Sequence, residues 1–203
     1  MKKKFLTCSL SLIKKYNPDL NEIKLDEIRY GLEGFYLTMT KAIVIFSISI
    51  CLGVIKESIM ILLFYNILRE TAFGLHASKS WMCWLSSMII FILLPIAFQG
   101  VIISFKIKLL LSMIAIVLIA MYAPADTKKA PLIHAHKRKK YKTISIINCL
   151  ILEGLCLLIH NEISTYILIG IYIEVILILP ITYKVFKLPY RNYLSYVPSY
   201  IKN

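Results

Sequence analysis

A chain of 203 residues that is 59% hydrophobic, with a mean hydropathy of +0.73, is a poor fit to a soluble globule and has the size and composition of one polytopic membrane domain. The net charge of +13 would suit a nucleic-acid binder, but cytoplasmic loops of membrane proteins carry the same basic excess, so the placement of the charges must decide. Five dispersed cysteines (Cys8, Cys51, Cys83, Cys149, Cys156) without a Cys-x-x-Cys pair imply neither a disulfide framework nor a zinc ribbon.

Lys2-Lys3-Lys4 precedes an apolar run from Phe5 to Ile13 that is too short for a span and lacks a small-residue cleavage site, so it is expected to be retained. After Asn17-Pro18, the residues Ile23, Leu25, Ile28 and Leu32 recur at helical spacing among charged neighbours. Both pieces predict amphipathic helices lying on the membrane surface, making residues 1–33 an interfacial N-terminal region. Six apolar runs follow: Gly34 to Val54 (interrupted by Lys41), a short one from Ser58 to Phe73, Trp81 to Phe98 (broken near its end by Pro95), Leu109 to Tyr122, Ile144 to Ile159 and Ile163 to Tyr183. The expected fold is therefore an all-α membrane protein of about six transmembrane helices, the second one short. A single domain spans 1–203, with a core over 34–183, a basic loop over 123–142 and a tail over 184–203.

Lys and Arg residues set the orientation. Twenty fall on the side that holds both termini and the loops 69–80 and 123–142, against Lys56, Lys106 and Lys108 on the other side. This places both termini in the cytoplasm and makes nucleic acid unnecessary as an explanation of the charge. Glu153 and Glu174 lie mid-run in the fifth and sixth segments, where an ionisable group needs a partner or a cavity. Lys41 could supply that partner, or the two carboxyls could share a proton.

The polar stretch Arg69 to Trp84 interrupts two apolar runs and carries one histidine and one cysteine. A thiolate nucleophile needs a base or an electropositive setting, and His76 with a helix N-terminus could provide both. His76 and Cys83 are seven positions apart, about 10 Å along an unbroken helix, which is too far for proton transfer. The backbone must turn back between them if they cooperate. Gly74 can end the preceding helix in a left-handed cap, and Ser78 or Ser80 can begin the next one, leaving Cys83 near unpaired amides that favour an anion. The only close histidine pair, His134-x-His136, reads as part of the basic loop. No metal or cofactor is expected.

Two stretches together, Arg69-x(4)-Gly74-x-His76-Ala77-x(5)-Cys83 and Tyr122-Ala123-Pro124-Ala125-Asp126-Thr127-Lys128-Lys129-Ala130-Pro131-Leu132, resemble the accessory gene regulator protein B (AgrB) family of Gram-positive bacteria. The likeness extends to length, hydropathy rhythm, amphipathic N-terminus and basic central loop. It departs at Phe73, where many members have the first glycine of a pair, and at Ala130, where a basic residue often stands. The resemblance implies a multi-pass cell-membrane cysteine endopeptidase, active on the cytoplasmic side, that cleaves a quorum-sensing precursor, AgrD, with an amphipathic leader and an acidic tail. It implies His76 and Cys83 as the catalytic pair, Arg69 and Gly74 as supporting motif positions, and a homodimer.

On that reading Arg69 would orient a precursor carboxylate or hold the polar notch together through Glu70. Backbone amides, Ser78 and Ser80 are candidates to hold the oxyanion. Lys128, Lys129, Lys137, Arg138, Lys139, Lys140 and Lys142 form a topology determinant beside anionic lipid that could also gather the acidic tail of the precursor. The competing class is an exporter of a small peptide, to which six spans and buried Glu153 and Glu174 would also be suited.

Overall fold

The computed structural model describes residues 2–18, 20–75, 80–127 and 131–196. These residues are helical apart from turns, loops and isolated bridge residues, among them a parallel bridge between Phe73 and Ala125. The chain divides into two compact units, 1–48 and 49–203.

The first unit contains α1 (Lys2–Tyr16) and most of α2 (Glu22–Cys51). Lys14 and Lys15 in the last turn of α1 complement the helix dipole. Asn21 caps α2, its side-chain oxygen accepting the Lys24 amide at 2.9 Å. The two helices meet through the Phe5 and Tyr36 rings, with centroids 5.2 Å apart, and an ion pair between Lys2 and Glu33. The expected interfacial segment and first span are one continuous helix of 30 residues, about 45 Å long. Gly31 and Gly34 do not break it, because a helical glycine costs only about 1 kcal/mol relative to alanine.

The second unit begins in the last turn of α2 and continues through α3 (Ile55–Ala72), α4 (Ser80–Met88), a π-helical turn (Ile89–Leu93), α5 (Leu94–Phe98), α6 (Phe105–Tyr122), α7 (Ala135–Leu158), α8 (Ile163–Ile178), α9 (Pro180–Val185) and a 3₁₀ turn (Asn192–Ser195). Pro95 deforms the third apolar run without ending it. Lacking an N–H, it cannot bond the Phe91 carbonyl one turn back; that oxygen accepts the Ser58 hydroxyl at 2.7 Å and the Ser49 hydroxyl at 3.3 Å.

The core centres on α8, which packs against α3, α6 and α7 and is apolar around most of its circumference for that reason. Its closest approach is to α3. A Cβ on Gly170 would stand 2.8 Å from Phe64 Cβ and 2.9 Å from the Tyr65 amide nitrogen, so the crossing requires glycine. Among the described residues, four segments are long and apolar enough to cross a membrane: Glu22–Cys51, Trp81–Phe98, Phe105–Tyr122 and Ala135–Leu158. α3 carries Lys56, Glu57, Arg69 and Glu70 near its ends, and α8 has only 16 residues. The sixth expected run is split where Leu179, extended before Pro180, separates α8 from α9.

Lys108, counted above as a loop charge, is buried in the first turns of α6. Its ammonium donates to the carbonyls of Cys156 (3.1 Å) and Ile159 (2.8 Å) and to the Ser164 hydroxyl (3.3 Å). It thereby satisfies carbonyls at the C-terminal end of α7 that lack intrahelical partners.

Candidate active site

α3 ends where Phe73 and Gly74 both take positive φ, 62° and 91°. The expected exit at Gly74 has the positive φ of a left-handed cap, but the turn starts one residue earlier, at Phe73, whose ψ of −108° lies outside the left-handed helical region; this is the position where the family resemblance leads one to look for glycine. The Phe73 ring packs edge-on against Tyr141 of α7, with centroids 4.9 Å apart.

Beyond the helix, the segment 73–75 is anchored on every side. The Gly74 amide donates to the Ala125 carbonyl (2.7 Å), the Ala125 amide donates to Ala72 (2.9 Å), and the Leu75 amide donates to Leu177 (3.0 Å). The Leu177 carbonyl is available because α8 stops at the Leu179–Pro180 break. The two motif stretches, about fifty residues apart in sequence, are thus hydrogen-bonded to each other at the end of α8.

Arg69 supplies the remaining anchors. Its guanidinium donates to the carbonyl of Phe73 through Nη1 and to that of Leu75 through Nη2 (2.9 Å), and Nη1 faces the Glu174 carboxyl at 3.6 Å. Glu70 is exposed, so the polar notch is not held through it; neighbouring residues on a helix point about 100° apart, which takes Glu70 away from the face Arg69 uses. Gly74 has a steric role too. A Cβ there would lie 2.7 Å from Arg69 Nη1 and 3.1 Å from the Leu177 carbonyl oxygen.

The second motif stretch is held by Asp126, which is buried. Its carboxylate accepts the amides of Asn192 (2.8 Å), Tyr193 (2.7 Å) and Leu132 (3.3 Å), and its carbonyl accepts the Tyr183 hydroxyl at 3.2 Å. Sequence reasoning did not single out Asp126; the available signal was one acidic residue at the head of a basic stretch. Burial pushes the Tyr190 phenol above its ordinary value, with Arg191 pulling the other way, so Tyr190 packs as a neutral ring on Tyr183.

The sequence profile for accessory gene regulator B matches residues 7–178. The chain belongs to this family. It is 39% identical to an AgrB-like protein of Listeria innocua over 173 residues, which is 84% of each chain. Over 175 residues it is 35% identical to an AgrB-like protein of Clostridium acetobutylicum, covering 86% of this chain and 84% of the relative. To accessory gene regulator protein B of Staphylococcus aureus the identity is 37% over 164 residues, 80% of this chain and 87% of the relative. No solved structure matches.

In this accessory gene regulator B protein, Cys83 is half-buried in the first turn of α4. Tyr65 lies one turn before Arg69 on α3, and its ring packs edge-on against Phe91 with centroids 6.4 Å apart. His76, Ser78, the Ser80 side chain, Lys128 and Lys129 lie outside the described residues. Lys137, Lys139, Lys140 and Lys142 are exposed on the first turns of α7. Arg138 differs from them: it donates to the Leu132 (2.7 Å) and Ile133 (2.6 Å) carbonyls and stacks 4.1 Å over the Tyr193 ring. Glu153 accepts the Cys149 thiol at 3.4 Å, one turn away on α7. Among the described residues, no group of three or more His, Cys, Asp or Glu gathers to hold a metal.

Proposed function

We propose that this chain is a membrane cysteine endopeptidase that matures a quorum-sensing peptide precursor, with both termini and the reacting groups on the cytoplasmic side. The observation carrying this reading is the hydrogen-bonded junction of residues 72–75 with Ala125, which joins in space the two stretches that mark the family. In the reaction, His76 takes the proton of the Cys83 thiol, and the sulfur attacks the precursor carbonyl that precedes the acidic tail. The C–N bond breaks, the amine of the tail leaves with a proton from the imidazolium, and a thioester to Cys83 remains. A thiol or hydroxyl of the precursor then attacks that thioester, releasing the cyclic peptide and restoring the Cys83 thiol. A water-poor setting favours this cyclisation over hydrolysis.

The exposed lysines of α7 fit the same scheme. Positive charge in the first turns of a helix opposes the dipole, so local stability does not explain Lys137, Lys139 and Lys140 there; an anionic partner, precursor tail or lipid headgroup, does.

Incubation of the protein in liposomes with the candidate precursor, read by mass spectrometry, tests the proposal. Wild type is expected to release the tail and to carry an acyl adduct at Cys83, while Cys83→Ala and His76→Ala release none. Unchanged cleavage by Cys83→Ala would sink the peptidase reading; peptide crossing the bilayer uncut would put an exporter in its place.

A further inference from the structure

Glu174 has no part in the chemistry above, yet it is fully buried at the junction of the two motif stretches. Neither of its carboxyl oxygens accepts a hydrogen bond from the described residues, and its ion-pair partner is Arg69 at 3.6 Å. Three other buried ionisable groups are engaged differently. Lys108 is satisfied by three neutral acceptors and Asp126 by three amides, while Glu153 takes a thiol from its own helix.

The segment 73–75 divides its anchors cleanly. Its amide donors at Gly74 and Leu75 go to backbone carbonyls of Ala125 and Leu177, whereas its carbonyl acceptors at Phe73 and Leu75 go to the fork of Arg69. The guanidinium reaches the two carbonyls through separate nitrogens while one of them faces the carboxyl; a lysine would have to meet all three from one nitrogen on a differently shaped side chain. A largely buried guanidinium without its counter-group is in turn costly to hold in place.

We infer that Glu174 is a positioning residue: paired with Arg69, it keeps the guanidinium seated on the Phe73 and Leu75 carbonyls, and so fixes the backbone from which the chain runs on to His76. The inference rests on the peptidase reading for its consequence in catalysis, but not for its structural content. Arg69 is then occupied by the protein itself, with no need of a precursor carboxylate.

Two measurements on the full-length protein in liposomes test this, comparing wild type with Glu174→Ala, Glu174→Gln, Arg69→Lys and, as reference, Cys83→Ala. In steady-state cleavage of the precursor, Glu174→Ala and Arg69→Lys are expected to lower kcat by about 10- to 100-fold with KM within about twofold, the pattern of a displaced reacting group. Glu174→Gln should fall between them and wild type, since its amide oxygen turns a partial negative charge, in place of a full one, toward the guanidinium 3.6 Å away. Hydrogen exchange at the Gly74 and Leu75 amides should be about tenfold faster in Glu174→Ala and in Arg69→Lys. Wild-type kcat in Glu174→Ala would overturn the inference, as would a raised KM at unchanged kcat, which would mean a contact with the precursor. If Cys83→Ala cleaves normally, the peptidase reading fails by itself, and exchange decides the positioning role: unchanged protection at Gly74 and Leu75 overturns it. Glu174→Gln and Arg69→Lys, which largely keep side-chain volume, carry both comparisons if Glu174→Ala does not yield monodisperse protein.

Discussion

Lys108 and Arg69 are both cations drawn into the second helical unit, yet they are satisfied in different ways. Lys108, near the start of α6, is held by three neutral oxygens at the end of α7 and the start of α8. Arg69 works near the other end of α6, about 20 Å along its axis, where its partners are two carbonyls of an irregular segment and a carboxyl group. Lys108 closes off helix ends that would otherwise leave carbonyls unpaired. Arg69 holds a short irregular stretch of chain against two other elements, immediately before His76 in sequence. The first arrangement secures the fold, and the second places a backbone.

The largest expected effect that separates these roles is on Arg69. Arg69→Ala should cut the turnover of precursor by about 10²- to 10³-fold, the scale of losing a positioning group together with its buried counter-charge, measured as initial rates on purified, folded protein. Lys108→Met should do the reverse. Three acceptors lose their donor, so stability should fall by about 2–3 kcal/mol in thermal unfolding in detergent, while kcat per folded molecule is unchanged. Equal losses of kcat in the two variants would erase the distinction.

Gly170→Ala sharpens the comparison by perturbing the scaffold away from both cations. Its methyl would meet Phe64 and the Tyr65 backbone, and overpacking of this kind costs about 1–3 kcal/mol. The expected outcome is a lower unfolding midpoint and, since Tyr65 is displaced, a smaller loss of turnover than in Arg69→Ala. Asp126→Asn removes charge from a carboxylate that holds three amides, and should loosen the tail by about 1 kcal/mol. Limited trypsin digestion at Arg191 would report this as faster cleavage. Smallest is the double change Lys139→Gln with Lys140→Gln, both exposed. It should weaken precursor binding by under about 1 kcal/mol, and the deficit should vanish as salt is raised.

The residues proposed to react are read from local signals. A histidine and a cysteine in a polar gap between apolar runs, and a second short motif after the fourth run, stand out without knowledge of any contact. Pro95 announced its distortion for the same reason, since a missing N–H acts on the carbonyl one turn back. Partners were another matter. Arg69 was read beside Glu70 because they are adjacent in sequence, but helix geometry turns adjacent side chains apart, and the partner sits 105 positions later on α8.

Apolar periodicity by itself determined that this chain is helical with apolar stretches long enough to cross a membrane, and roughly where most helices lie; the two motif stretches were marked by their resemblance to a known family. Hydropathy and motif spacing are properties of short windows, so no fold is needed to see them. Tertiary structure alone decided that Lys108 is buried, that α2 runs unbroken through its glycines, and that Arg69 belongs to Glu174 and to the carbonyls before His76. Each of those outcomes depends on which surfaces meet across long sequence separations. A buried polar group takes whatever partner the packing leaves within reach, and no window along the chain contains that partner.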